Sequence, residues 1–123
     1  MQTQECSKTE TGARFERMAE AHLLGLGYRL LARNFRIKGG EIDLVFEDWR
    51  GERGVLVLVE VRMRDANSFL RPEESITGLK EARLKKAAVA YISRYQGRAK
   101  EVRFDLVAVR GTAVAHYPDF IRD

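Results

Sequence analysis

Three charged side chains, Asp43, Glu60 and Arg62, stand in "GGEIDLVFEDWRGERGVLVLVEVRMR", residues 39–64, among runs otherwise apolar enough to be buried strands. A charge in a strand interior loses hydration worth several kcal/mol unless it gains a partner, an ion or a cleft. Carboxylates on two neighbouring strands, with a cation beside the second, suit a hard divalent ion. Mg²⁺ takes oxygen ligands, keeps several waters and commonly needs only one or two protein carboxylates plus a phosphate. Such an ion lowers the pKa of a water that attacks a phosphodiester, while a basic side chain holds that water or stabilises charge gathering on phosphorus. Asp43 and Glu60 are therefore candidate ligands for Mg²⁺ or Mn²⁺. The plain alternative is a Glu60–Arg62 ion pair, two apart on one strand face, each neutralising the other near the sheet edge.

The flanking pattern says what must position these groups. In "EIDLVFE" the alternation places Glu41, Asp43, Val45 and Glu47 on a half-wet face and Ile42, Leu44 and Phe46 on a core face. "VLVLVEVRMR" is apolar on both faces, Val55, Val57, Val59 and Val61 on one and Leu56 and Leu58 on the other, as a central strand requires. The Leu56/Leu58 row continues as Glu60, Arg62 and Arg64. "DWRGERG" between them is a polar hairpin connection, with Trp49 packing over it. "YRLLARNFRI" reads as an earlier strand, joined by the glycines of "KGG".

Before the strands, a helix is expected from Gly12 to Leu26 with Thr11 as N-cap, its apolar stripe formed by Phe15, Met18, Ala19, His22, Leu23 and Leu26. His22 and His116 read as packed side chains, since neither has a second ligand at metal spacing. After the loop "DANSFLRPEES", a second helix is expected from Ile76 to Tyr95 with the stripe Leu84, Ala87, Ala88, Tyr91, Ile92 and Tyr95. Four residues back, that stripe reaches Lys80, which should point inward toward an acidic or phosphate partner, because a lysine at a helix amino end opposes the macrodipole. "VRFDLVAV" and "AVAHY" complete the pattern as a strand and a short edge strand. The order of helix, three strands, helix and two strands predicts a single α/β domain around a mixed sheet whose third strand is central.

Composition narrows the function. A chain of 123 residues with 45% hydrophobic and 33% charged residues can build one ordinary core without disulfide or metal staples. Residues 1–11 are polar and aperiodic, as a flexible tail would be, ahead of a domain over 12–123. No apolar run has membrane-span length and the polar start lacks a secretory leader, so a cytoplasmic location with no membrane partner is expected. Cys6, the single cysteine, lies in the tail and reads as a plain free thiol. A net charge of +4 and a pI near 9.5 agree with a polyanionic partner. No Gly-rich phosphate loop, nucleophile elbow or CxxC pair occurs, which removes the common nucleotide, acyl-transfer and zinc chemistries.

"GEID" and "EVR", their acids 17 residues apart across a hairpin, resemble the PD-(D/E)xK nuclease signature. Together with "GARFERMAEAHL", "GYRLLARNFR", "LVEVRMR", the Lys80 helix and "VRFDLVAV", they resemble the bacterial YraN family over Gly12 to Val109. That resemblance implies a restriction-endonuclease-like fold related to archaeal Holliday-junction resolvases. It also implies an acidic metal site of Glu16, Asp43 and Glu60, holding Mg²⁺ or Mn²⁺, with Glu16 reaching in from the first helix. The implied partner is nucleic acid, DNA in the first place and branched or junction DNA in particular, cut by phosphodiester hydrolysis. Arg64, Arg71, Lys80 and Arg83 are the expected contacts to it. A two-fold substrate of that kind would suit a homodimer.

The family usually carries lysine where this chain has Arg62. Arginine stays protonated, so it binds phosphate but relays no proton, and Lys80 is the candidate to take the catalytic place beside Arg62. Leu70 also replaces a glycine usual before the proline. Against the endonuclease stand two other readings: a nuclease-fold DNA-binding module without hydrolysis, and a structural protein in which Asp43, Glu60 and Arg62 form only a salt-bridge network.

Overall fold

Two polar turns fold three apolar runs into a meander. Lys38 and Gly39 make the first, Gly39 with a φ of 81° that a glycine adopts without steric cost. Residues 49–54 make the second, where Trp49 lies over Gly54 so closely that a side chain there would enter the indole ring. A computed structural model of the chain describes residues 10–64 and 78–121. It contains α1 (Glu10–Gly25), β1 (Arg29–Ile37), β2 (Gly40–Asp48), β3 (Val55–Arg64), α2 (Gly78–Arg94), β4 (Glu101–Arg110) and β5 (Ala113–Tyr117). The five strands form one mixed sheet in the order β1-β2-β3-β4-β5, parallel only between β3 and β4. The crossover that a parallel pair requires carries α2.

The helices cover opposite faces. From α1, Phe15, Ala19 and Leu23 pack with Leu44, Phe46, Val57, Val59, Val107 and Val109. From α2, Leu84, Ala87 and Ala88 pack with Ile42, Val45, Leu56 and Leu58 on the other side. β3 therefore buries valines toward α1 and leucines toward α2, as its double apolar pattern demands. The result is a single α/β domain consistent with a restriction-endonuclease-like fold. Among the described residues no helix is long and apolar enough to cross a membrane.

Several local expectations are corrected. α1 begins at Glu10, which puts Thr11 inside its first turn rather than at the N-cap. Leu26 lies past the helix and is exposed, and Ile92 points outward from α2 at 41% exposure. β2 is buried on both faces rather than half wet, because each face has a helix above it. Its strict alternation also fails, since Ile42 joins Val45 under α2 while Leu44 and Phe46 face α1. The change of side coincides with Asn34 on β1, between the pairs Arg33↔Leu44 and Phe35↔Ile42, with a φ of 53°. Asparagine tolerates that left-handed region better than most residues. The tail through residue 9, including Cys6, and the loop carrying Leu70 and Arg71 lie outside the described residues.

Candidate functional site

The sheet opens at one end of β2 and β3. Their register runs from Asp48↔Val55 to Leu44↔Val59. Beyond it each strand keeps its outer neighbour: Ile42 and Gly40 pair with Phe35 and Ile37 of β1, while Glu60 to Arg64 pair with Leu106 to Arg110 of β4. A fork results, and Asp43 stands in its angle. The Val61 amide at this point donates to Oδ2 of Asp43 at 2.8 Å. A side chain thus supplies the acceptor that a continuing ladder would have given this half-buried amide.

Glu60 and Arg62 follow on the α2 side of β3, Arg62 Nη2 lying 3.0 Å from Glu60 Oε2. The ion pair foreseen as the plain alternative therefore exists, but it is not isolated. A cleft of about 190 Å³ is lined by Glu41, Asp43, Glu60 and Arg62 from the strands and by Lys80 and Arg83 from the first turns of α2. Gly40 permits this closeness. A Cβ there would lie 2.8 Å from the Arg83 carbonyl oxygen and 2.9 Å from the Ala87 nitrogen, so the α2 backbone rests directly on β2. Lys80 is exposed at the rim of the cleft rather than pointing into the core.

The electrostatics follow from this enclosure. Burial first, and the neighbouring charge of Asp43 second, push the Glu60 carboxyl up to about 7, with Glu41 acting in the same sense. Arg62 and Lys80 pull it down without offsetting the rise. A carboxyl whose ionisation is disfavoured by burial and by a neighbouring carboxylate is part of a donor set that a divalent cation would relieve. Among the described residues no three His, Cys, Asp or Glu side chains come together as a metal-holding group. The set matches an ion that takes one or two protein carboxylates and completes its shell with water and phosphate oxygens.

The sequence-derived candidates divide accordingly. Asp43, Glu60, Arg62, Lys80 and Arg83 meet in one cleft. Glu16 is buried on α1 and lines a different cleft, on the α1 face, with Arg33, Asn34 and Leu44. Arg64 ends β3, and Arg71 lies outside the described residues. Glu41 was missed as a site residue, although its place two residues before Asp43 in "GEID" carried the signal.

A second polar cluster lies on the α1 face, around the fully buried Asp105. Arg103 donates through Nε to Oδ1 at 2.8 Å and through Nη2 to Oδ2 at 2.9 Å. His116 Nε2 is 2.7 Å from Oδ2, and the Asp119 amide donates to Oδ1 at 3.0 Å. Burial raises this carboxyl, but the bonds from His116, Arg103 and the Asp119 amide outweigh it and hold the group below the usual aspartate range. Arg103 also donates to the Tyr28 hydroxyl at 2.9 Å. The cluster ties β4, β5 and the start of β1 together, and His116 is occupied by it.

Comparison with known proteins agrees with the motifs. The model of the uncharacterised protein family UPF0102 matches residues 15–109. A UPF0102 protein of Pelobacter propionicus is 42% identical over 99 residues, covering 80% of this chain and 69% of its own. One from a Sulfurihydrogenibium species is 38% identical across 89% of this chain and 91% of its own. Another, from Carboxydothermus hydrogenoformans, reaches 45% identity over 70% of each. With a family match spanning both strands of the fork and all of α2, the chain belongs to the uncharacterised protein family UPF0102, the YraN family that its motifs resemble.

Proposed function

We propose that this protein is a metal-dependent endonuclease-like protein that binds DNA and hydrolyses phosphodiester bonds, with branched or junction DNA as the favoured substrate. The observation that carries this reading is the meeting of Asp43 and Glu60 with Arg62, Lys80 and Arg83 in one cleft at the fork of β2 and β3. Asp43 and Glu60 would hold Mg²⁺ or Mn²⁺, which when bound supplies Lewis acidity and a more acidic water. The carboxylates fix one side of the cleft. Arg83 and Lys80, on the facing helix, bind and orient a phosphate between them and the strands. Arg62 stabilises negative charge on phosphorus but moves no proton. Lys80, exposed at the rim, is the side chain of this cleft with an amine able to orient a water and to exchange a proton. A four-way junction has two-fold symmetry, and a homodimer would set two such clefts on it.

The 3.0 Å ion pair between Arg62 and Glu60 favours a second reading, a DNA-binding module without turnover, because it balances the arginine's charge within the protein. One assay separates the two. Wild type, Lys80→Ala, Arg62→Lys and Glu60→Gln are incubated with a labelled four-way junction, a flap and a single strand, with Mg²⁺ or Mn²⁺. Cleavage by the wild type that falls about 10²-fold or more in Lys80→Ala supports the enzyme with Lys80 in the catalytic place. Cleavage gained only in Arg62→Lys supports the binding module. Failure of both proteins to cut, together with unchanged binding in Glu60→Gln, sinks the nuclease reading.

A further inference from the structure

At the far end of α2, on the same sheet face, lies a cleft of about 520 Å³ lined by Arg29, Leu31, Phe35, Tyr91, Arg94 and Tyr95. Its aromatic rings form a graded series. Phe35 and Tyr91 meet edge to face with centroids 5.1 Å apart, and Tyr91 and Tyr95 lie 6.5 Å apart with their planes only 29° from parallel. The Arg94 guanidinium stands 5.5 Å over the Phe35 ring, and Arg29 is 75% exposed at the mouth. Glu47 is the acidic member. Its carboxylate accepts from the Tyr95 hydroxyl and from Trp49 Nε1, the latter at 2.8 Å, so it is held within the protein.

Aromatic faces beside arginines are the chemistry that captures unpaired bases: the rings stack on bases, and the guanidiniums meet the backbone phosphates. A duplex offers no free base faces to such a cleft. Position adds to the argument, because Lys80 and Tyr91 share α2. The eleven helical steps from one to the other span about 16 Å, the length of about five stacked nucleotides. We propose that this cleft binds unpaired bases of the same DNA strand whose phosphodiester reaches the Asp43–Glu60 cleft, which narrows the branched substrates to those with a single-stranded segment, such as a flap. The proposal rests on the nucleic-acid reading above and gives that reading a direction: one strand running along α2 from Lys80 toward Tyr95.

The test is metal-free fluorescence anisotropy with a labelled dodecathymidylate and a blunt duplex of equal length, using wild type, Arg94→Ala, Tyr91→Leu and Arg83→Ala. Arg94 is exposed, so its variant keeps the test valid if the loss of Tyr91 weakens the fold. Tyr91→Leu is expected to weaken single-strand binding about 5- to 150-fold, the range of one lost base–aromatic contact, and Arg94→Ala to weaken it in the same direction, with duplex binding changed less than about twofold in both. Arg83→Ala should weaken both. Wild-type affinity for the single strand in both cleft variants, or no binding of it by the wild type, overturns the proposal. Strand binding that depends on Arg94 in a protein that cuts nothing leaves this cleft assigned and removes the nuclease reading. Junction cleavage with strand binding indifferent to Arg94 does the reverse.

Discussion

Asp43 accepts the Val61 amide at the point where β2 and β3 part, so one carboxylate both closes the fork and faces the cleft. These two duties are separable. Asp43→Asn keeps an oxygen for the amide and should change stability by less than about 1 kcal/mol, whereas Asp43→Ala leaves a half-buried donor unmet and should cost about 1–3 kcal/mol. Mn²⁺ at 100 times its dissociation constant should stabilise the wild type by about 2.7 kcal/mol and neither variant. Urea unfolding with and without Mn²⁺ measures all three. Equal stabilisation of Asp43→Asn would take the ion away from this carboxylate.

Glu60 predicts a dependence on pH. Its carboxyl, pushed up to about 7, keeps a proton in the folded state where an ordinary glutamate near 4.5 has lost it. The folded state then binds more protons than the unfolded one, so stability is expected to fall as pH rises from about 4.5 to 7 and to level off above. Urea midpoints in EDTA should show this slope in the wild type and a flatter one in Glu60→Gln. Identical slopes would assign it to other groups.

Gly40→Ala tests the contact that seats α2. The added methyl meets the Arg83 carbonyl oxygen at 2.8 Å and the Ala87 nitrogen at 2.9 Å, both backbone atoms. Helix and strand must separate, at a cost of about 1–3 kcal/mol typical of overpacking. Lys80 and Arg83 move with the helix, so DNA affinity should fall further than in a surface variant of equal stability. Anisotropy beside the urea midpoint checks both. Unchanged values would mean that α2 sits less tightly on β2 than its contacts imply.

Asp105 governs the acid limb. With its carboxyl held below the usual value near 3.8, its contribution is present above that pH and is lost as pH falls through the lower, folded value. Asp105→Ala leaves Arg103 without its bidentate partner and should cost about 3–5 kcal/mol at neutral pH. The acid-unfolding profile of His116→Gln, which keeps a donor for Asp105, should lie between that of Asp105→Ala and the wild type. A neutral Asp105→Ala would make the cluster an ornament of the fold rather than a tie.

What the residues made legible was whatever periodicity alone decides. Phe15, Ala19 and Leu23 on α1, Leu84, Ala87 and Ala88 on α2, and the two-faced β3 are buried because a helix covers each side of the sheet. The meeting of Asp43 with Glu60 was legible for the same reason, through the row that continues Leu56 and Leu58. The side switch in β2 was not, since it coincides with a left-handed residue, Asn34, on a neighbouring strand. Nor was the depth of Asp105, whose partners Arg103, His116 and Asp119 gather only when β5 folds back on β4. Glu16 and Glu41 show the same limit: both are acids beside apolar neighbours, and only the placement of α1 and α2 puts them in different clefts.

The parallel seam between β3 and β4 has a consequence for how the chain reaches this state. β3 finds β2 across a turn of six residues, but it meets β4 only after the α2 crossover, in pairs such as Val55↔Glu101 that lie 46 residues apart. Loop closure of that length is the slower event, so the three-stranded meander is expected first. Until β4 docks, β3 is an unprotected apolar edge, open to the same edge of another molecule. Refolding yield should therefore drop with protein concentration while the native protein stays monodisperse. Rapid dilution from urea at graded concentrations would show it, and a yield independent of concentration would mean that α2 and β4 close before the edge is ever bare.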